Sequence, residues 1–319
     1  MMFRNRLQNL LLTGLLCCAW QAQAQQLPFF TQYRNYSELL NPAAVTPDFM
    51  ARGQNFSFGA SHRSQWTELE GAPTTSTLRG SWLGTDYGGF VPNVGGFLMH
   101  DQTGPTGFTG IYARAGGLIS GDAEDGGIGL GLSFGMVQYR LKTNELILRD
   151  EGDILPGETQ AQWNPDVGLG VFGFTRLGND NIVYGGVSVP QVLGLDLAFR
   201  NADGEFETTR VQHFYAQAGS YLFLDDERFI EPSVWVRYVN GSDISVDLNF
   251  RYQMSPNLFV GLGGNLDGAG HLEAGLLLGD TYNFENTLQI GYSFTRWFSD
   301  FGPNLGGTHE INISVALER

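Results

Sequence analysis

Residues 243–253 read Asp-Ile-Ser-Val-Asp-Leu-Asn-Phe-Arg-Tyr-Gln. Ile244, Val246, Leu248, Phe250 and Tyr252 alternate without a break against Asp243, Ser245, Asp247, Asn249, Arg251 and Gln253. Successive side chains of an extended chain point to opposite faces, so this stretch is a strand with one apolar and one polar face. The same period recurs on either side. Ile128, Leu130, Leu132, Phe134 and Met136 oppose Gly129, Gly131, Ser133 and Gly135. Leu288, Ile290, Tyr292 and Phe294 oppose Gln289, Gly291, Ser293 and Thr295, and Ile311, Ile313, Val315 and Leu317 oppose Asn312, Ser314, Ala316 and Glu318.

Extended over the chain, the pattern predicts about fourteen strands. Their centres fall near Phe58, Leu78, Phe97, Tyr112, Leu132, Val171, Val183, Ala216, Val234, Leu248, Val260, Leu276, Ile290 and Ile313. Turn signals separate them, among them Asp125-Gly126, Asn179-Asp180-Asn181, Asp203-Gly204, Asp225-Asp226-Glu227, Asn240-Gly241, Ser255-Pro256-Asn257 and Asp267-Gly268. Two connections are long. Lys142–Gln160 carries a strand-like Leu146-Ile147-Leu148 and a Pro156-Gly157 turn, while Pro190–Glu207 opens on PQVLGLDL and then turns polar.

Alternating strands suit a soluble sandwich or a transmembrane barrel, which turns the apolar face to lipid and the polar face to its lumen. The polar face here is rich in Asp, Asn, Arg and Gln, and a large even strand number closes without edges. Trp66, Trp82, Trp163, Tyr221, Phe223, Trp297 and Phe298 stand near strand ends, where they would form interfacial girdles. The expected fold is therefore all-β, a transmembrane antiparallel β-barrel of about fourteen strands in the bacterial outer membrane. In it Val246, Leu248 and Phe250 face lipid, and Asp247, Asn249 and Arg251 face the lumen.

The amino terminus reads as an export signal. Arg4 and Arg6 precede an apolar run from Leu10 to Ala19, and Ala22-Gln23-Ala24 is an A-x-A cleavage site. The run is too short for a stop-transfer helix. No small residue precedes Cys17 or Cys18 to suit lipidation. Cleavage after Ala24 would make Gln25 the mature terminus and remove both cysteines, and with them any disulfide. The expected organisation is a signal peptide at 1–24, a pre-barrel periplasmic or lumen segment at 25–50, and the barrel at 51–319.

Composition agrees with export into a membrane. Charged residues make up 16% of the 319 residues, against about 25% in soluble domains. Lys142 is the sole lysine. The net charge of −15 argues against nucleic acid as a partner. A mean hydropathy of −0.13 is far too low for a bundle of spanning helices.

Specific blocks carry a family resemblance. Pro28-Phe29-Phe30-Thr31-Gln32-Tyr33 followed by Leu39-Leu40-Asn41-Pro42-Ala43, then His62-Arg63-Ser64-Gln65-Trp66 and Gly71-Ala72-Pro73-Thr74-Thr75, resemble the opening of the PorP/SprF family. Gly131–Tyr139, Asn164–Gly168, Gly186–Pro190, His213-Phe214-Tyr215, Pro232–Tyr238, Gly291–Phe294 and Gly307-Thr308-His309-Glu310-Ile311 continue the series in order. The resemblance implies an outer-membrane barrel of Bacteroidota that serves the type IX secretion system or the gliding machinery coupled to it. It implies partners among periplasmic ring and lipoprotein subunits, a large surface adhesin's C-terminal domain, and outer-membrane lipid. It transfers no catalytic residues.

The residues themselves assign no catalytic, cofactor or metal site. No H-E-x-x-H or P-loop fingerprint occurs. His62, His100, His213, His271 and His309 lack metal-ligand spacing. Asp122-Ala123-Glu124-Asp125-Gly126 suggests a calcium loop, but its twelfth position is Ser133 instead of a bidentate Glu, so it reads as an acidic turn. Arg63, Gln65 and Trp66 read as a conformation-fixing turn contact or as a partner or plug contact. The functional alternatives are a secretion or gliding component acting through protein partners, a transport barrel for small or apolar solutes, and a soluble exported all-β protein.

Overall fold

The computed structural model describes residues 30–143, 160–178, 180–201, 204–279, 286–299 and 304–318. The expected leader and its cleavage site lie outside these residues, as do Leu146–Leu148, Pro156-Gly157 and parts of the turns at Asn179 and Asp203. The chain is a closed antiparallel barrel of fourteen strands in up-and-down order. The first five are β1 (Phe56–Ser64), β2 (Thr74–Leu83), β3 (Phe90–Thr103), β4 (Thr106–Asp122) and β5 (Gly126–Leu141). β6 (Gln160–Leu177) and β7 (Asn181–Val189) follow. A separate two-stranded ribbon, β8 (Leu195–Asn201) with β9 (Gly204–Arg210), interrupts the wall. The wall resumes with β10 (His213–Phe223), β11 (Phe229–Val239), β12 (Ser245–Ser255), β13 (Leu258–Asn265) and β14 (Ala269–Leu278). It closes with β15 (Thr287–Trp297) and β16 (Thr308–Leu317), which pairs with β1 from Phe56↔Leu317 to Ser64↔His309. Every strand centre read from the alternation falls within a barrel strand. The ribbon β8–β9 stands outside the closed sheet, so the alternation that lipid imposes on the wall does not extend to it.

The faces divide as the alternation requires. Leu248 is 50% exposed and Phe250 42%, while Asn249 and Arg251 are each 4% exposed. In lipid every backbone group must be bonded within the protein, and closure of β1 on β16 leaves no edge there. The aromatic girdle needs one correction. Tyr221 is 1% exposed and packs with Phe229 inside the barrel, and Phe223 leans on the same cluster. Both end an inward-facing row, so they join the lumen's core. Trp82, Trp163 and Phe298 are exposed on the wall.

Two ends can be told apart. At one, β2–β3, β4–β5, β6–β7, β10–β11 and β12–β13 are joined by short turns, β14 connects to β15 over residues 279–286, and β1 begins and β16 ends there. At the other, beside the short β3–β4, β11–β12 and β13–β14 turns, stand the longest connections: β5–β6, the ribbon β8–β9, the β1–β2 loop and the β15–β16 loop. Barrels of this kind keep short turns in the periplasm and long loops outside, which makes the first the periplasmic end and the second the outer end.

The chain before β1 fills the lumen. A 3₁₀ turn (Tyr33–Tyr36) runs into the single-turn α1 (Ser37–Leu40), and α2 (Pro47–Arg52) follows. Thr46 caps α2 and Gly53, at φ 73°, ends it. Every residue from Phe30 to Thr46 is buried. The first strand begins at Phe56, a few residues later than the expected barrel start at 51.

Candidate functional site

The lumen is the most elaborate site in the molecule, and it is built from the plug and the inward rows of the wall. The plug descends from the outer end to the periplasmic end. Thr31 and Gln32 donate their backbone N–H groups to the two carboxylate oxygens of Glu310 at 2.9 and 3.2 Å. Thr31 also bonds Thr295 at 2.9 Å. Arg34 lies against the carboxylate of Glu273, sits 3.5 Å from Glu231, and donates to Asn249 at 2.8 Å. Tyr184 donates to Glu231 at 2.8 Å, and Asn249 bonds His271 at 2.8 Å. Glu38 accepts from Arg79 at 2.9 Å, and Tyr33 bonds Ser233 at 2.8 Å. Charge-assisted bonds of this kind are roughly twice as strong as neutral ones.

The Leu39–Ala43 block is held by its backbone. Ser188 donates to the Leu40 carbonyl at 2.6 Å, and Arg114 donates to those of Pro42 and Ala44, both at 3.0 Å. Asn93 donates to the Ala44 carbonyl at 3.0 Å, and Asn41 donates to Val171 at 3.0 Å. The seat exists because the facing wall is glycine. A Cβ at Gly170 would stand 1.9 Å from the Asn41 side-chain oxygen, and one at Gly131 would stand 2.4 Å from the Pro42 carbonyl. These glycines are bare strand on one side and the plug's contact surface on the other.

Three sequence blocks that lie far apart meet at Glu310. It receives the plug's Thr31-Gln32, and it faces Arg63 directly across β1 and β16. Just beyond, Gln65 donates to Pro73 at 2.9 Å and Thr67 to Gly307 at 3.0 Å. Trp66 takes a left-handed φ of 52°, which an aromatic residue adopts only at a cost of about 1–3 kcal/mol. Its ring packs edge-on to Trp297 at 6.3 Å. Arg63 thus stands beside the plug's anchor Glu310, while Gln65 and Trp66 shape the loop above it.

The other singled-out residues do not converge. Asp122–Gly126 is the β4–β5 turn, closed by an Asp122 side-chain bond to the Glu124 N–H at 2.9 Å. The bare letters G-x-S-x-G occur at Gly131-Leu132-Ser133-Phe134-Gly135, and G-x-G-x-x-G occurs from Gly168 to Gly173. Both lie in mid-strand, in β5 and β6, with no strand-to-helix turn to expose a nucleophile or cradle a phosphate. Among the described residues no three His, Cys, Asp or Glu side chains are grouped to hold a metal.

At the periplasmic end a cavity of about 320 Å³ opens between α2 and the wall, lined by Arg52, Asp226, Glu227, Gln253 and Asn257 among others. In the adjoining turn, Arg228 bonds Asp225 at 2.6 Å and holds its carboxyl below the usual carboxylate range. On the outer wall a concavity of about 1090 Å³, lined by residues such as Ala115, Leu130, Val171, Val187 and Phe214, faces lipid.

A closed wall that is apolar outside, with ionic lumen contacts gripping the chain's own leading segment, defines a plugged outer-membrane β-barrel. The chain belongs to the PorP/SprF family, the type IX secretion system membrane proteins, whose pattern matches residues 22–315. Solved structures similar to it include a deletion mutant of the monoaromatic hydrocarbon channel TodX (9% identity, TM-score 0.55, covering 88% of this chain and 93% of that one). The Pseudomonas putida toluene transporter TodX is another (7% identity, TM-score 0.50, 88% and 96%). At such identities the likeness is one of fold. No curated protein sequence matches this chain.

Proposed function

We propose that this protein is a non-enzymatic component of the type IX secretion or gliding machinery that works by binding protein partners at its two rims. One observation carries the reading: the lumen is occupied by residues 30–52, tied to the wall through Glu310, Glu273, Arg79 and Arg114. A barrel closed in this way offers surfaces, and its charged lumen suits an apolar solute poorly. Periplasmic ring or lipoprotein subunits would meet the short turns and the mouth around α2, since the plug itself is buried. An adhesin's C-terminal domain would meet the outer loops. Export would proceed through cleavage after Ala24, which mass spectrometry of the mature protein would show as a terminus at Gln25.

Deletion of the gene is expected to abolish display of a surface adhesin, or type IX secretion more widely, and to leave nutrient uptake intact. Co-purification from native membranes should recover secretion or gliding subunits. A deletion strain that secretes and glides normally but fails to take up a small apolar nutrient would establish the transport reading in its place.

A further inference from the structure

The charged residues on the outer wall follow a rule of sign and of height. Acidic side chains of the barrel strands point into the lumen, apart from Asp122 at its turn. Among the described wall residues, the side chains of Arg, Lys and His type that point outward are His62, His100, Arg140, Arg296 and His309. All five stand within a few residues of the outer end of their strands. They lie on β15, β16, β1, β3 and β5, one continuous arc of the wall. In a chain of net charge −15, the described strands of this arc turn their bases outward and their acids, Asp101 and Glu310, inward. Glu68 and Glu70 stand on the β1–β2 loop beyond the strands.

The arc coincides with the upper border of the apolar belt. One paired row runs Ala60, Leu78, Leu98, Ile111, Met136 and Pro165. The next outward-facing row runs His62, Ser76, His100, Thr109, Gln138 and Trp163. One step along the strands therefore changes the wall from hydrocarbon to hydrogen-bonding groups. The histidines are built alike. His62 bonds Ser76 through Nδ1 at 2.9 Å, His100 bonds Thr109 at 2.9 Å, and His309 bonds Tyr292 at 2.7 Å. Each ring is thus fixed through Nδ1. Arg140 is braced by Gln102 at 3.2 Å.

We infer that this arc is a binding surface for the phosphate of anionic lipid headgroups in the outer leaflet, with Arg140, His62 and His100 as its centre. The described groups are donors that turn outward, while the acids of the same strands turn inward, at the depth where headgroups begin and on one flank of the described wall. On β11 the same height carries Tyr238, which has no charge. Lipid held there would fix the rotation of the barrel in the membrane. The inference depends on the orientation of the barrel and not on its role in secretion.

The test uses the full-length protein purified in neutral detergent. Binding of dioleoyl phosphatidic acid, dioleoyl phosphatidylcholine and inorganic phosphate is measured by native mass spectrometry and by thermal shift. Phosphatidic acid is expected to bind at least tenfold more tightly than phosphatidylcholine, and millimolar inorganic phosphate to give no shift. Arg140→Gln should weaken phosphatidic acid binding roughly fivefold. His62→Gln/His100→Gln/Arg140→Gln should abolish the preference between the two lipids. Arg140→Gln alone keeps the test open if the triple variant fails to assemble, which heat-modifiable gel migration reports. Equal binding of the two lipids, or a preference that survives in an assembled variant, would overturn the assignment. An equal shift from inorganic phosphate would assign the groups to a free anion instead.

Discussion

At the scale of the residue, a side chain in this barrel is decided by which way it points. Leu248→Arg places a cation on the lipid face at a cost of about 2–4 kcal/mol near mid-bilayer. The folded, heat-modifiable fraction after refolding into lipid should fall accordingly. The alternation by itself would make Asn249→Arg the harmless partner substitution. The structure removes that expectation, because Asn249 accepts a bond from Arg34 and touches His271. A second cation there would meet Arg34 in a packed lumen, so Asn249→Arg should also destabilise. Arg34→Leu leaves Glu231 and Glu273 facing each other without their cation. Breaking a buried pair from one side costs about 3–5 kcal/mol. Urea unfolding should show that loss, and Arg34→Leu/Glu273→Gln should recover part of it. Full additivity of the two changes would show that the pair is not coupled.

At the scale of the element, the plug and its glycine seat are two halves of one device. Leu39-Leu40-Asn41-Pro42-Ala43 has no periodicity that would announce a secondary structure, and Gly131, Gly170 and Gly186 appear in their strands as gaps in the polar face. Contact explains both: the wall gives up side chains where the plug's backbone comes in. Gly170→Val should leave β6 paired and dislodge Asn41, which a Cβ at that position would approach to 1.9 Å. The expected signature is a barrel that still migrates as folded, with residues 30–52 newly open to protease and with ion conductance in planar bilayers. Deletion of 30–52 should conduct more strongly still. A Gly170→Val barrel as closed and as resistant as the parent would show that the seat does not hold the plug.

At the scale of the whole molecule, charge is partitioned. Acids of the wall look inward, where arginines of the wall and the plug meet them. Bases that look outward gather in one arc at the outer end. The periplasmic rim is acidic in its turns, with Asp122, Glu124, Asp125, Asp225, Asp226 and Glu227 all exposed. A periplasmic partner should therefore present a basic face, and its association rate should fall steeply with ionic strength. Charge reversal at Asp226 and Glu227 should slow association, with little change in the stability of the barrel. Salt-independent association measured with a purified periplasmic subunit would place the contact elsewhere.

The sequence by itself determined the strands of the wall, their number and which face of each meets lipid. A membrane enforces that pattern at every second residue, because each apolar outward position is tested against hydrocarbon independently of its neighbours. It also determined the family, through short blocks that read in order. What those blocks do was decided only by the tertiary structure. Thr31, Arg63 and Glu310 are far apart along the chain, and nothing local couples an N–H at one end to a carboxylate at the other. Closure of β16 against β1 brings them to one place. Whether Tyr221 belongs to an interfacial belt or to the lumen's core likewise depended on the register of β10. So did the fate of the segment before β1, whose buried Arg34 and Glu38 are stable inside a barrel because the inner wall supplies Glu273 and Arg79 as their partners.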